Sequence, residues 1–276
     1  MVITNWTRVA TFASFAVLVS SVSAQQFRIE SQVYSAGEKT PVAESLTLYD
    51  GGYAFDFSFE PGSQSQEVEI VVFDQARKTL VLLDVKREMR LTLEQYELAK
   101  MLEELRLQLS QKQDLNFLVN PQFSEKTDFA SGLIELENPK LSYRATCEKP
   151  KDIASMSLYY ESQDQFTWLA ASDPSRLPPF SRLALNQAIK KNGLMPKEIK
   201  LHVHSEGLLQ RDLDLHSKHS VIWQLSVDDR KRIESAKKKW MTYAPVSLGK
   251  FRGLTNGDAT KVAESDNSET QTNVKK

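Results

Sequence analysis

The chain has 276 residues, 35 of them basic and 36 acidic, for a formal net charge of −1. That balance gives no reason to expect nucleic acid or a strongly anionic surface as a partner, and no nucleic-acid partner is expected. Apolar residues make up 41% of the chain and cysteine occurs once, which allows one sizeable core and no internal disulfide.

The chain opens with a short segment charged at Arg8, then the apolar run 9–19, then the small residues Val22, Ser23 and Ala24. This order predicts a secretory signal peptide over residues 1–24, cut before Gln25, and hence export to the periplasm or beyond. An apolar helix of that length is roughly 16 Å long, about half a bilayer, so a membrane span is disfavoured. No later segment is apolar for long enough to cross, and no transmembrane segment is expected after cleavage.

Residues 27–34 and 42–49 read as strands, and Asp50-Gly51-Gly52 as the tight turn of a hairpin. Tyr53, Phe55, Phe57 and Phe59 then alternate with Ala54, Asp56 and Ser58, giving the next strand one aromatic face. Strands at 67–73, 79–84 and 87–92 complete a predicted six-stranded antiparallel meander. Thr92 and Gln95 form a capping-box signature ahead of a helix whose Leu98, Leu102, Leu105 and Leu109 recur at helical spacing. A second hairpin is expected at 133–137 and 141–147, with Cys147 pointing inward as an inert thiol. Helices follow at 156–172 and 180–191, the second opened by Pro178-Pro179 and closed by Asn192-Gly193. Strands are predicted at 197–204, 211–216 and 219–225, and a last helix runs from Ser226 to about residue 240. From residue 253 the chain is small and polar and reads as disordered.

Strands in blocks rather than in alternation with helices predict an α+β fold. The expectation is one domain over residues 25–252: a curved antiparallel half-barrel of about eleven strands, with about four helices on one face. The segments LTLYDGGYAFDF, VVFDQARKTLVLLD and LPPFSRLALNQAIKKNGLMPKEIKLHV resemble an uncharacterised family of exported proteins of planctomycete-type bacteria, a resemblance that implies no activity. The order of strands and helices is similar to the periplasmic lipoprotein-carrier fold, which implies a half-barrel holding acyl chains under its helices.

No nucleophile elbow, phosphate-binding loop or dinucleotide fingerprint is present, so no catalytic residue and no cofactor is assigned. Two constellations remain. Tyr53, Phe55, Phe57 and Phe59 are candidates to line an apolar ligand cavity. All four histidines fall between positions 202 and 219. Alternation places His202, His204, Asp214 and His216, with Asp212, on one polar face of a hairpin, and these are ligand types that zinc accepts. The leading expectation is a non-enzymatic exported protein that binds an apolar or lipid-like ligand, or an envelope protein, in the half-barrel. A metal-dependent hydrolase using the histidine hairpin is one alternative, and a structural envelope component is another.

Overall fold

The computed structural model describes residues 26–173, 176–204 and 212–253. The signal-like segment 1–24, the connection between the two strands of the histidine hairpin and the tail beyond residue 253 lie outside the described residues. The fold is α+β, built on one large, mostly antiparallel, unclosed sheet.

Six strands form the predicted first meander: β1 (Phe27–Ser35), β2 (Ala43–Asp50), β3 (Tyr53–Glu60), β4 (Ser63–Asp74), β5 (Thr79–Asp84) and β6 (Met89–Glu94). Gly51 and Gly52, with φ of 57° and 88°, make the β2–β3 reversal that side chains with a Cβ resist. Helix α1 (Gln95–Ser110) and the short α2 (Asn116–Val119) then carry the chain to the far edge of the sheet. There a second meander starts with β7 (Ser124–Asp128), β8 (Leu133–Asn138) and β9 (Leu141–Glu148). Helices α3 (Met156–Trp168) and α4 (Phe180–Lys191) intervene before β10 (Met195–Val203) and β11 (Leu213–Ile222). β11 pairs antiparallel with β1, which fuses the two meanders into a single sheet. Helix α5 (Val227–Thr242), the two-residue β12 (Ala244–Pro245) and α6 (Leu248–Arg252) complete the described chain, and β12 pairs parallel to β6.

The sheet therefore has twelve strands rather than about eleven, and six α-helices are described rather than four. Strand β7 (SEKTD) has no apolar residue because it is an exposed edge, so periodicity does not announce it. The two strands expected at 211–216 and 219–225 are one continuous β11. Helix α1 starts later than its sequence signature suggests: Glu94 and Glu97 form the capping box, not Thr92 and Gln95.

The helices do not all lie on one face. Tyr49, Ala54, Phe73, Leu80 and Leu93 pack with Leu98 of α1, Tyr159 of α3 and Phe251 of α6. Their immediate neighbours Leu48, Phe55, Val72 and Val81 point the other way and pack with Ile233 and Ala236 of α5. Strands covered on both sides read as continuous apolar runs, which is why Ile70–Phe73 and Leu80–Leu83 are buried throughout. Over β8–β11 the face toward α4 is apolar, with Ile134, Tyr143 and Ile199 meeting Leu185 and Ile189. The opposite face there bears Arg144, Lys200, His202 and His216, lining an open hollow of about 280 Å³.

Candidate metal centre

The histidine hairpin lies on that open polar face. Pairing between β10 and β11 sets His202 opposite Asp214 and Lys200 opposite His216. His204 is the first residue past β10, and its backbone N–H donates to the Lys140 carbonyl at 2.9 Å, extending the ladder toward the β8–β9 turn. Asp212 immediately precedes β11. Four side chains thus converge at one end of the hairpin for reasons of register alone.

His202 Nδ1 stands 2.5 Å from Asp214 Oδ1, and His202 Nε2 stands 3.2 Å from His204 Nδ1. The two rings meet nearly at right angles, with an interplanar angle of 87°. Asp212 Oδ2 is 3.7 Å from His204 Nδ1. One donor atom from each of His202, His204 and Asp212 lies within 4.8 Å of the others. Asp214 accepts from Nδ1–H of His202, which fixes the tautomer and leaves the Nε2 lone pair facing His204. Two imidazole lone pairs so close repel unless a proton or a cation sits between them. Two nitrogens bound to a tetrahedral zinc at 2.0–2.1 Å lie roughly 3.3 Å apart, close to the separation of this pair. His202, His204 and Asp212 supply two borderline nitrogens and one oxygen, a donor set that suits zinc and related divalent ions.

His216 does not join this group. It sits one pair further along the hairpin, with Nε2 2.5 Å from Glu198 Oε1 and its ring 6.1 Å from that of Tyr34. Asp212 takes the place beside His204, while Asp214 stands behind His202. His219 is on the same strand but on the opposite face, between Ser31 Oγ at 2.9 Å and Ser217 Oγ at 3.0 Å.

The aromatic strand is placed differently. Phe55 and Phe57 are fully buried beneath α5, and Tyr53 meets Trp240 of that helix edge-on at 6.4 Å. Phe59 carries the Arg232 guanidinium over its ring and borders a groove of about 490 Å³ at the start of α5. That groove is lined by charges of both signs, and Arg28 and Arg232 there are paired with Asp229 and Glu67. Cys147 is buried and free, and burial pushes its thiol up to about 12.

Two polar groups went unread in the sequence. Asp56, on β3, accepts a hydrogen bond from Thr47 at 2.7 Å, and burial pushes its carboxyl up to about 6. Arg182, in the first turn of α4, lies within electrostatic reach of His219, Tyr143 and Tyr159. A carboxylate alternating with phenylalanines and an arginine opening a helix look alike whether solvated or buried. Only the identity of the covering helices separates the two cases.

No helix of the described residues is long and apolar enough to cross a membrane. No protein-family model matches the chain, and no curated protein is similar to it.

Proposed function

We propose that this is an exported metal-binding protein that holds a zinc-class divalent ion at the end of the β10–β11 hairpin. The observation that carries the reading is the 3.2 Å approach of His202 Nε2 to His204 Nδ1, with Asp214 behind the first ring and Asp212 beside the second. His202, His204 and Asp212 ligate, and Asp214 positions His202. An apolar-ligand reading finds less support, because α5 occupies the face on which Phe55 and Phe57 stand.

Calorimetric titration with zinc after chelator treatment tests the site. One ion per chain is expected, His204→Ala should abolish binding, and Asp214→Asn should weaken it about 10- to 100-fold without removing a ligand. Wild-type protein whose melting is indifferent to zinc would overturn the proposal. Export rests on the signal-like segment alone, and N-terminal sequencing of secreted material should find Gln25 or a residue beside it. Three protein ligands also leave a position for water, the composition of catalytic zinc sites. Zinc-dependent hydrolysis of an activated ester, lost in His204→Ala, would turn the binder into a hydrolase.

A further inference from the structure

On the open face of β8 to β11, direct pairing sets Glu135 against Arg144, Arg144 against Lys200, and Lys200 against His216. Directly paired residues share a face, so Arg144 and Lys200 stand side by side with His216 beyond them. Like charges placed directly opposite one another destabilise a sheet. The neighbouring carboxylates cancel this only in part. Glu135 Oε1 is 3.5 Å from Arg144 Nε, and Glu198 Oε1 is 3.6 Å from Lys200 Nζ. Both distances exceed the roughly 2.7–3.2 Å of a made N–H···O bond. Glu198 is also shared, since the same oxygen stands 2.5 Å from His216 Nε2. Arg144 Nη1 and Nη2 and the Ser142 hydroxyl have no hydrogen-bond partner among the described residues.

These donors meet in one cavity. Ser142, Arg144, Lys200 and His216 line the open hollow of about 280 Å³, together with His202 and Asp214 at its metal-centre end. Lys200 stands two residues before His202 on one face of β10, roughly 6.6 Å along the strand. Ser142 of β9 is directly opposite His202. The carboxylate that lines the hollow, Asp214, is turned to His202 Nδ1 at 2.5 Å. A planar guanidinium offers two parallel N–H groups to the two oxygens of an oxyanion, and an ammonium adds a point charge beside them. The Ser142 hydroxyl supplies a neutral donor.

We infer that Arg144, Lys200 and Ser142 form an oxyanion subsite in this hollow, which takes the phosphate or carboxylate group of a small ligand. The subsite adjoins the proposed metal centre but uses none of its ligands, so the two stand or fall separately. Calorimetric titration of the full chain, stripped of metal and dialysed free of chelator, with inorganic phosphate and separately with acetate tests it. At least one anion should bind. Phosphate alone identifies a phosphate group, and acetate alone identifies a carboxylate. Arg144→Gln and Lys200→Gln should each weaken binding about 10-fold or more, the loss of one charge-assisted hydrogen bond. Both should leave zinc affinity unchanged, and Lys238→Gln, at an exposed position of α5, should alter neither. Both positions lie on the open face, and a melting curve close to wild type confirms that each variant is folded. Anion binding without zinc uptake would keep the subsite and remove the metal centre. A wild type that binds neither anion, or substitutions at 144 and 200 that bind like wild type, would overturn the subsite whether or not zinc binds.

Discussion

Asp56 and His219 lie on the same face of the sheet, and burial shifts them in ways that oppose each other as pH falls. Asp56 rises from its ordinary 3.8 to about 6, so its contribution is fully present below pH 3.8 and is lost as pH rises through 6. His219 falls from 6.5 to about 3, so its contribution is present above pH 6.5 and is lost on acidification toward 3. Between pH 6 and 4 the two trends cancel. Asp56→Asn keeps an acceptor for Thr47 and removes one of the pair. It should be more stable than wild type by about 2–3 kcal/mol at pH 7.5, and the gain should vanish at pH 3.5. Urea melts at the two pH values check this, and an equal difference at both would mean that Asp56 ionises normally. Phe57 is fully buried beneath α5, so Phe57→Ala should cost about 3–5 kcal/mol, whereas Arg144→Ala on the open face should cost under about 0.5.

Helix α5 is short of apolar residues and depends on how it is tied down. Ser226 and Asp229 form a reciprocal capping box, and Asp229 also receives Arg28 Nη1 at 2.9 and 3.1 Å from β1. Hydrogen bonds from Ser226 and the Arg28 charge hold the Asp229 carboxyl below its ordinary range against the effect of burial. Lys239 and Arg232 clasp Glu67 of β4 at 2.6 and 3.0 Å. Ser226→Ala should cost about 1 kcal/mol, and Asp229→Ala more, since it also leaves Arg28 without that partner. Chemical denaturation of the two variants should rank them so; the reverse order would show that the cap, not the cross-link to β1, anchors the helix. In the β7–β8 turn Gly132 has φ 70°, and a Cβ there would stand 2.2 Å from the Cys147 carbonyl oxygen of β9. Gly132→Ala should therefore destabilise by more than the roughly 1 kcal/mol of an ordinary strained turn, since the β9 backbone must move.

The whole molecule is two meanders joined at β1 and β11, and the joint is not left to backbone hydrogen bonds alone. Tyr160 of α3 packs on the apolar clusters of both halves, and its hydroxyl donates to the Leu194 carbonyl at 3.0 Å. Helix α3, which lies against β3 and β4 of the first half, packs on α4, which lies against β8 and β10 of the second. The halves should consequently unfold as one unit. Tryptophan fluorescence and far-ultraviolet circular dichroism should give coincident melting curves, and two separated transitions would show that the seam opens before either half.

Much of this architecture follows from local pattern. Alternation in Tyr53–Phe59, the Asp50-Gly51-Gly52 turn and the leucine spacing of α1 each express a backbone geometry that neighbouring residues dictate. The polar side of the histidine hairpin was legible for the same reason, since strand period two assigns His202 and Asp214 to one face. The runs VLLD and IVVFD are continuously apolar, the pattern of a strand covered on both faces, yet the order of elements alone predicts helices on one face only. Register between strands was not legible, and register decides that Asp214 meets His202 while His216 meets Glu198. The β1–β11 seam was equally hidden, because a pairing between residues nearly two hundred positions apart leaves no periodic trace. Sequence by itself thus determined which residues face together along each strand. Tertiary structure alone decided which strands adjoin, which face α5 covers, and so which side chains meet at the end of the histidine hairpin.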